Sequence, residues 1–401
     1  MSKLLIDVGS TYMKVSSEDS IEQKFRDFNK SIYDDLISKF GVTLNKHNKE
    51  DIHICSSANG GLSTLIVGLT NSFSLKYAKN IAFNSGINII DTILYHNIEQ
   101  SVVPGDLLDV VIVVGGIDSV GGIYDKKLFD YLEKLNYSNI VYVGSKKDEE
   151  YLQENIKSLV VLENIITDKL KVREEGLKEY LTNLYQQDIV GKEDIKELYQ
   201  LTANQIYSTP FVVNQSLSLI DARFEVINPF IVVDIGGATT DIHYSKDLAR
   251  DNMVTNSEYD RLVFKKLGVY KSKESLIFAA KNNEFVYELL NHLNVTENIL
   301  EENSAEATSV LMQLSIFLVL CKVSTHTSLY VTLDLHKLKS IVLTGGITKV
   351  LSYEEVEAIM QFFYKKILNT TATPSILLDS NYDIWTLGMN ALDDKRKQNV
   401  N

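Results

Sequence analysis

Two separated segments of the chain share one pattern, in which an apolar run leads into Asp, then Gly, then hydroxyl side chains. They are residues 4–11 and residues 231–241. Glycine allows a backbone to approach a ligand closely, and Ser and Thr hydroxyls can donate hydrogen bonds to phosphate oxygens. A carboxylate repels phosphate but is a usual ligand of Mg²⁺ or of its waters. The pattern predicts phosphate binding at two places, with Asp7 and Asp234 as candidates for the metal shell.

A third segment, residues 340–346, is again an apolar run, but it ends in the pair Gly345 and Gly346. Paired glycines between a strand and a helix let the backbone lie flat against a ring system or a ribose, and they open the following helix toward an anion. The alternatives are a helix entry without a ligand here and plain β-turns at the two Asp-Gly sites. The order along the chain, two hydroxyl turns and then a glycine pair, favours a nucleotide site.

Strands must position these turns, because a run rich in Val, Ile and Leu precedes each of them. Elsewhere strand and helix patterns alternate, which is typical of α/β architecture. Strands are predicted at 52–55, 110–114, 140–143 and 160–162. Helices are predicted at 62–77, 127–135, 149–156 and 211–220, with exposed helices within 167–207. The apolar run 310–321 is shorter than the roughly 18 residues of a membrane span, so we expect a buried core helix and no membrane partner.

Composition limits the remaining possibilities. A chain of 401 residues exceeds what one hydrophobic core usually supports, so two domains are expected. The net charge of −13, without a run of Lys or Arg, makes nucleic acid an unexpected partner. The two cysteines are too few for a disulfide framework, and residues 1–15 lack a targeting pattern. We therefore expect a cytoplasmic protein.

The order of the three turns resembles the actin, Hsp70 and sugar-kinase superfamily of ATPases. The first turn is similar to its phosphate 1 motif, the second to phosphate 2 and the third to the adenosine motif. The resemblance implies an α/β fold, a two-lobed actin-like ATPase with ribonuclease H-like lobes, and ATP with Mg²⁺ in the cleft between them. It implies a first lobe at 1–225 with an α/β elaboration near 108–207, a second lobe at 226–381, and a C-terminal helix at 382–395 that returns to the first lobe.

Under this resemblance each candidate residue has an expected role. Asp7 and Asp234 face each other across the metal and the γ-phosphate, and they orient the attacking water. Asp241 either helps to orient that water or simply begins the returning strand. The expected phosphate ligands are Ser10, Thr11, Lys14, Thr239 and Thr240, with close backbone approach at Gly9, Gly236 and Gly237. Gly345 and Gly346 are expected at the nucleoside.

A second resemblance is sharper. The segment 55–62 reads Cys-Ser-Ser-Ala-Asn-Gly-Gly-Leu, and it resembles the hallmark of the MutL family found beside adenosylcobalamin-dependent glutamate mutases, which is unrelated to the mismatch-repair protein of that name. Further segments that fit the family pattern are 67–69, 113–118, 232–243, 261–268 and 384–389. The family implies an ATP-dependent, chaperone-type reactivating factor, which hydrolyses ATP to release damaged cobalamin from its mutase. The implied partner is a glutamate mutase or a lysine or ornithine aminomutase, with or without a small second reactivase subunit.

The chain departs from the family pattern at two positions, Ser63 where Arg is expected and Ile117 where Thr is expected. Read without the family, the turn before Leu62 is a loop in which Ser57 or Asn59 caps a following helix. Cys55 is then a small buried residue rather than a nucleophile.

Two other functions stay open at this point. A small-molecule kinase for a sugar or an acid would use the same cleft with an acceptor hydroxyl in place of water, and it would need a carboxylate base beside that acceptor. An actin-like filament protein would associate head to tail, although the elaboration near 108–207 argues against it.

Overall fold

The computed structural model describes residues 3–17, 20–57, 62–85, 87–191, 193–250, 258–264, 266–325 and 332–400. The chain divides into two compact units. The larger comprises Met1–Gly60, Gln186–Arg250 and Glu258–Asn401, and the smaller comprises Gly61–Tyr185 and Asp251–Ser257. The predicted elaboration near 108–207 overlaps the smaller unit, which begins earlier and ends before residue 207.

The larger unit contains two five-stranded sheets. The strands of the first are β1 (Leu4–Val8), β2 (Tyr12–Ser16), β3 (Ile21–Phe25), β4 (Ile52–Ser56) and β10 (Tyr207–Ser208), in the spatial order β10-β4-β1-β2-β3. The pairs β1–β2 and β2–β3 are antiparallel, whereas β4 pairs parallel with both β1 and β10. Every residue of β1 is buried, as expected for a continuous apolar strand covered on both faces.

The second sheet repeats this topology. Its strands are β11 (Phe230–Ile235), β12 (Thr240–Ser245), β13 (Tyr259–Phe264), β14 (Ser340–Gly345) and β15 (Ser375–Leu378), in the order β13-β12-β11-β14-β15. Again a three-stranded antiparallel meander leads into two parallel strands. The predicted α/β fold with two actin-like lobes is confirmed.

The smaller unit contains a parallel sheet. Its strands are β5 (Ser63–Gly68), β6 (Asn88–Leu94), β7 (Leu108–Val114), β8 (Tyr137–Tyr142) and β9 (Leu159–Val161), in the order β6-β5-β7-β8-β9. Leu65, Val113 and Tyr142 belong to its core. The sequence-based strands at 110–114, 140–143 and 160–162 correspond to β7, β8 and β9.

The predicted helix at 62–77 is wrong, because this segment forms β5 and then a π-helical turn over Asn71–Leu75. The apolar run in β5 is buried along nearly its whole length, so it presents no polar helix face to solvent. A helix cap at Leu62 by Ser57 or Asn59 is therefore wrong as well. Residues 58–61, the centre of the family turn, lie outside the described residues.

The helices are α1 (Ile32–Leu44), α2 (Lys76–Asn84), α3 (Lys126–Leu132), α4 (Glu149–Asn155), α5 (Glu175–Gly191), α6 (Glu193–Lys196), α7 (Thr209–Ser216), α8 (Ile220–Phe224), α9 (Lys273–Lys281), α10 (Val286–His292), α11 (Ala305–Thr325), α12 (Tyr353–Lys366) and α13 (Asp383–Val400). Sequence signals explain some of their limits. The Ser352 side chain and Glu355 form a capping box at the start of α12, and Ser31 caps α1. Pro210 lies in the first turn of α7, where its missing N–H costs nothing.

Helices α11 and α13 contribute to the core of the larger unit. In the part of the chain that the structure describes, α11 is the one helix long and apolar enough to cross a membrane, and 83% of its apolar window is buried inside the protein. It is the core helix predicted at 310–321, with additional turns at both ends. Helix α13 packs along α7, where Trp385 and Val212 share one hydrophobic cluster.

Candidate functional site

The first Asp-Gly turn connects β1 to β2. Antiparallel pairing places Asp7 opposite Lys14. The Gly9 N–H donates to the Tyr12 carbonyl at 2.8 Å and closes the turn. The Lys14 ammonium reaches back to Asp7 Oδ2 at 3.0 Å, so a buried carboxylate and a cation lie together at the end of the strand pair.

The second turn connects β11 to β12 with the same geometry. Asp234 lies opposite Asp241, and the Gly236 N–H donates to the Thr239 carbonyl at 2.9 Å. The Thr239 hydroxyl donates to Asp241 Oδ2 at 3.0 Å. The sequence repeat is thus a structural repeat, in which Asp241 occupies the position of Lys14 in the first turn.

The two turns touch each other. A Cβ on Gly237 would collide with the Thr11 hydroxyl, so only glycine fits at this contact. The Thr11 side chain is buried, and among the described residues its hydroxyl has no hydrogen-bond partner. A buried hydroxyl without a partner is costly, so a polar ligand at this point would relieve a real penalty.

Charged groups from both turns share one environment. Burial by itself lowers the pKa of the Lys14 ammonium, but the carboxylates of Asp7 and Asp234 outweigh it and hold that pKa above its usual value. For Asp234, burial dominates over the opposing effect of Lys14, and Asp241 adds repulsion; the pKa of this carboxyl is raised to about 7. The site therefore holds more negative charge than Lys14 alone balances, which suits a divalent cation.

Two further side chains contact this centre and a third acts on it through its charge, although the sequence did not single them out for it. The Thr209 hydroxyl, at the start of α7, donates to Asp7 Oδ1 at 2.7 Å. The Cys55 thiol lies 3.5 Å from the same oxygen, and burial raises the thiol pKa well above its usual value. Asp379, just after β15, adds repulsion to Asp234. The one sequence signal for Thr209 is its place directly before Pro210 at a helix start.

The glycine pair has two different environments. Gly345 has a φ of 85°, and a Cβ there would collide with the Asp234 carboxylate. Gly346 has open space on the side where a Cβ would project. Gly345 is therefore needed to accommodate Asp234 itself, while Gly346 leaves room for a ligand.

All predicted site residues except Thr240 line one cavity of about 260 Å³. They are Asp7, Gly9, Ser10, Thr11, Lys14, Asp234, Gly236, Gly237, Thr239, Asp241, Gly345 and Gly346. The structure does not bring Thr240 into the cavity, because alternation along β12 turns its hydroxyl toward the Leu267 carbonyl and the Ser315 hydroxyl, each at 2.9 Å. Ser57, Thr209, Thr308 and Met312 also line the cavity.

This set of groups fits phosphate and Mg²⁺. The unpartnered Thr11 hydroxyl and the Lys14 ammonium are donors for phosphate oxygens. Among the described residues, no three His, Cys, Asp or Glu side chains converge to hold a metal on their own. Mg²⁺ commonly takes one or two carboxylates and completes its shell with waters and phosphate oxygens, which is the arrangement that Asp7 and Asp234 can offer.

The comparison with known families is decisive for identity. A model of the family described as MutL protein matches residues 3–399. The chain belongs to the MutL family. The resemblance stated from the sequence is thereby confirmed. One curated member, Protein MutL of Clostridium tetanomorphum, is 26% identical over 272 residues, which are 61% of this chain and 58% of that protein. The match thus spans less than two thirds of that relative.

Similar solved structures include the ATP-dependent caprolactamase from Pseudomonas jessenii, with a TM-score of 0.41, 11% identity and coverage of 96% of this chain and 70% of that one. Another is Plasmodium falciparum glycerol kinase with ADP, with a TM-score of 0.35, 10% identity and coverage of 97% and 88%. The repeated sheet order within the larger unit, rather than these similarities, carries the fold assignment.

Proposed function

We propose that this MutL family member is an ATP-dependent reactivating factor for an adenosylcobalamin-dependent mutase, and that it hydrolyses ATP to release damaged cobalamin. The observation that carries the ATPase part is the meeting of two Asp-Gly turns around one cavity. Family membership supports the mutase as client, of the glutamate mutase or the lysine or ornithine aminomutase type. Two free cysteines, both buried, accord with the cytoplasm as the location.

Residues from both turns would hold the phosphates. We assign Ser10, Thr11 and Lys14 from the first turn, and Thr239 with the backbone of Gly236 and Gly237 from the second. Lys14 supplies the one ammonium that lines the cavity in the described residues. Gly346 would lie against the nucleoside, beside Thr308 and Met312 of α11. Thr240 has a structural role in this assignment, since its hydroxyl is used inside the protein.

Asp7 and Asp234 would hold Mg²⁺ through its waters. An ion held there would supply positive charge beside the γ-phosphate during its transfer to water. Thr209 and Lys14 fix the two oxygens of Asp7 from different sides. Asp241, fixed by Thr239, lies where it can orient a water. Positioning and charge neutralisation then account for most of the catalysis.

The contact between the turns would connect nucleotide binding to lobe movement. The Tyr270 N–H donates to the Gly237 carbonyl, and the Arg26 N–H donates to the Thr11 carbonyl, each at 2.9 Å. The rings of Phe25 and Tyr270 meet at 5.5 Å. Each turn is thus tied to a segment that contacts the other lobe. A nucleotide shifts this arrangement only if its contacts differ between closed and open lobes, and phosphate ligands from both turns supply that difference.

The test uses the full chain with a mutase from the same source, loaded with hydroxocobalamin. Cobalamin release is followed by absorbance after gel filtration with MgATP, with MgADP and without nucleotide, each with and without a small second subunit. We expect release with MgATP only. Asp234→Asn should abolish it, whereas Asp247→Asn, the same change at an exposed carboxylate outside the cavity, should not.

Absence of both binding and release with every mutase tried contradicts the reactivating function. ADP formation that requires an added sugar or acid indicates a kinase instead. Nucleotide-dependent light scattering by the protein alone indicates a filament.

A further inference from the structure

Tyr382 has a backbone conformation that needs an explanation. It lies between β15 and α13 with a φ of 54°, and its side chain is buried. A bulky residue in the left-handed region is uncommon and costs free energy. Such a residue persists only where the surrounding structure holds it, and it often marks a functional site.

The surroundings of Tyr382 do hold it. Its N–H donates to the Asp379 carbonyl at 3.1 Å, and its hydroxyl donates to Gln23 Oε1 on β3. The Asp379 carboxylate accepts hydrogen bonds from the Asp383 N–H at 2.6 Å and from the Thr344 hydroxyl at 2.7 Å. The ring is therefore anchored both by its own loop and by the other sheet of the larger unit.

The ring lies under Lys14. The Lys14 Nζ is 4.8 Å from the centroid of the Tyr382 ring and 3.0 Å from Asp7 Oδ2. An ammonium over an aromatic face is attracted by the ring quadrupole, most strongly where water is excluded. Contacts with Tyr382 and Asp7 together restrict the ammonium to this position.

A polar cleft of about 540 Å³ lies on the other side of this contact. Tyr382 and Lys349 line the cleft but not the nucleotide cavity, Lys14 lines the cavity but not the cleft, and Gln23 lines both. The exposed Lys349 also lies over the Tyr382 ring, with its Nζ 5.2 Å from the centroid. The ring thus separates Lys14 from an open polar space.

We propose that Tyr382 is a positioning residue for the ATPase reaction, which holds the Lys14 ammonium toward the phosphates and keeps the water of the cleft away from it. The inference rests on the proposed ATPase function and deepens it. Lys14 then acts on the charge that develops during transfer, and a displaced ammonium lowers kcat more than it raises KM.

The experiment compares steady-state ATP hydrolysis by four full-length proteins. Tyr382→Met fills a similar volume without an aromatic face, and we expect roughly a ten-fold lower kcat with less than a two-fold change in KM for ATP. Tyr382→Phe keeps the face and loses the hydroxyl, and we expect it to retain at least a third of the wild-type kcat. Lys349→Met removes the other lysine over the same ring, and we expect wild-type kinetics.

Wild-type protein without ATPase activity contradicts the proposed function itself. Active wild-type protein with an equally active Tyr382→Met variant overturns only the role of Tyr382. Equal losses in Tyr382→Met and Tyr382→Phe, or in Lys349→Met, also overturn it, because they indicate loss of the anchor rather than of the aromatic face. If Tyr382→Met unfolds, Tyr382→Trp replaces it; this variant changes the volume but keeps a face, and kcat below a third of wild type refutes the inference.

Discussion

The raised pKa of Asp234 predicts that this carboxyl lowers the stability of the folded protein, although the proposed activity requires it. Asp234→Asn should therefore raise stability while it abolishes activity. Burial, with repulsion from Asp241 and Asp7 and against the attraction of Lys14, raises the pKa of this carboxyl from 3.8 to about 7. Between about pH 4 and pH 7, the Asp234 carboxyl therefore stays protonated in the folded protein, whereas it is ionised in the unfolded chain. Because the folded state binds more protons there, its free energy of unfolding falls as pH rises through this window. Asp234→Asn removes this loss.

The size of this loss in unfolding free energy follows from the change in the pKa of Asp234. A change of roughly three pKa units at about 1.4 kcal/mol each corresponds to about 4 kcal/mol at pH 8, and screening by water in the cavity reduces it to about 2 kcal/mol. At pH 5 the Asp234 carboxyl lowers the free energy of unfolding by less than half of this amount. We therefore expect the stability advantage of Asp234→Asn over wild type to widen by roughly 1–3 kcal/mol between pH 5 and pH 8.

The chain offers a clean probe for this measurement. Trp385 is the single tryptophan, and it is buried in the core between α7 and α13. Its fluorescence during urea unfolding, without nucleotide or Mg²⁺, reports on the larger unit alone. Wild type, Asp234→Asn and the control Asp247→Asn are compared at pH 5, 6, 7 and 8.

A stability difference between Asp234→Asn and wild type that stays constant from pH 5 to pH 8 refutes the electrostatic reasoning. An Asp234→Asn variant that is less stable than wild type at pH 8 refutes it as well. A pH-dependent difference of the same size in Asp247→Asn shows that the effect does not come from the cavity.

Three further substitutions test the geometry of the turns. Gly237→Ala places a methyl group against the Thr11 hydroxyl, so we expect the free energy of unfolding in urea to fall by roughly 1–3 kcal/mol. The control Gly105→Ala places its methyl group in open space, and its free energy of unfolding should equal that of wild type. Gly345→Ala requires a Cβ at a φ of 85° beside the Asp234 carboxylate, and ATP hydrolysis should fall more than about ten-fold; wild-type hydrolysis contradicts the assignment. Thr209→Val removes the hydroxyl that donates to Asp7, which should raise the Mg²⁺ concentration needed for half-maximal activity several-fold, while Thr209→Ser should restore it; equal effects of both variants indicate a packing role.

The sequence was sufficient to find the two turns, because each is local. In each turn the strand, the Asp, the Gly and the hydroxyl residues lie within one short segment. The structure adds the antiparallel pairing of β1 with β2 and of β11 with β12. The same local pattern misled at Thr240. Alternation along β12 turns neighbouring side chains to opposite faces, so Thr239 lines the cavity and Thr240 does not.

The rest of the site is contributed by segments that are remote in sequence. Thr209 and Cys55 reach Asp7 because β4 pairs with β1 and α7 follows β10. Tyr382 reaches Lys14 because the loop after β15 contacts Gln23. No spacing rule connects such positions before the sheets are assembled. The wrong helix at 62–77 has a similar origin, since a short apolar run fits a buried strand and a buried helix equally well.

The proposed function requires the two turns to form one nucleotide site. Isothermal titration calorimetry of the full chain with MgATP tests it most directly. We expect one nucleotide per chain, with affinity reduced more than about ten-fold both by Asp7→Asn in the first turn and by Asp234→Asn in the second. Two nucleotides per chain, or wild-type affinity in either variant, contradicts it.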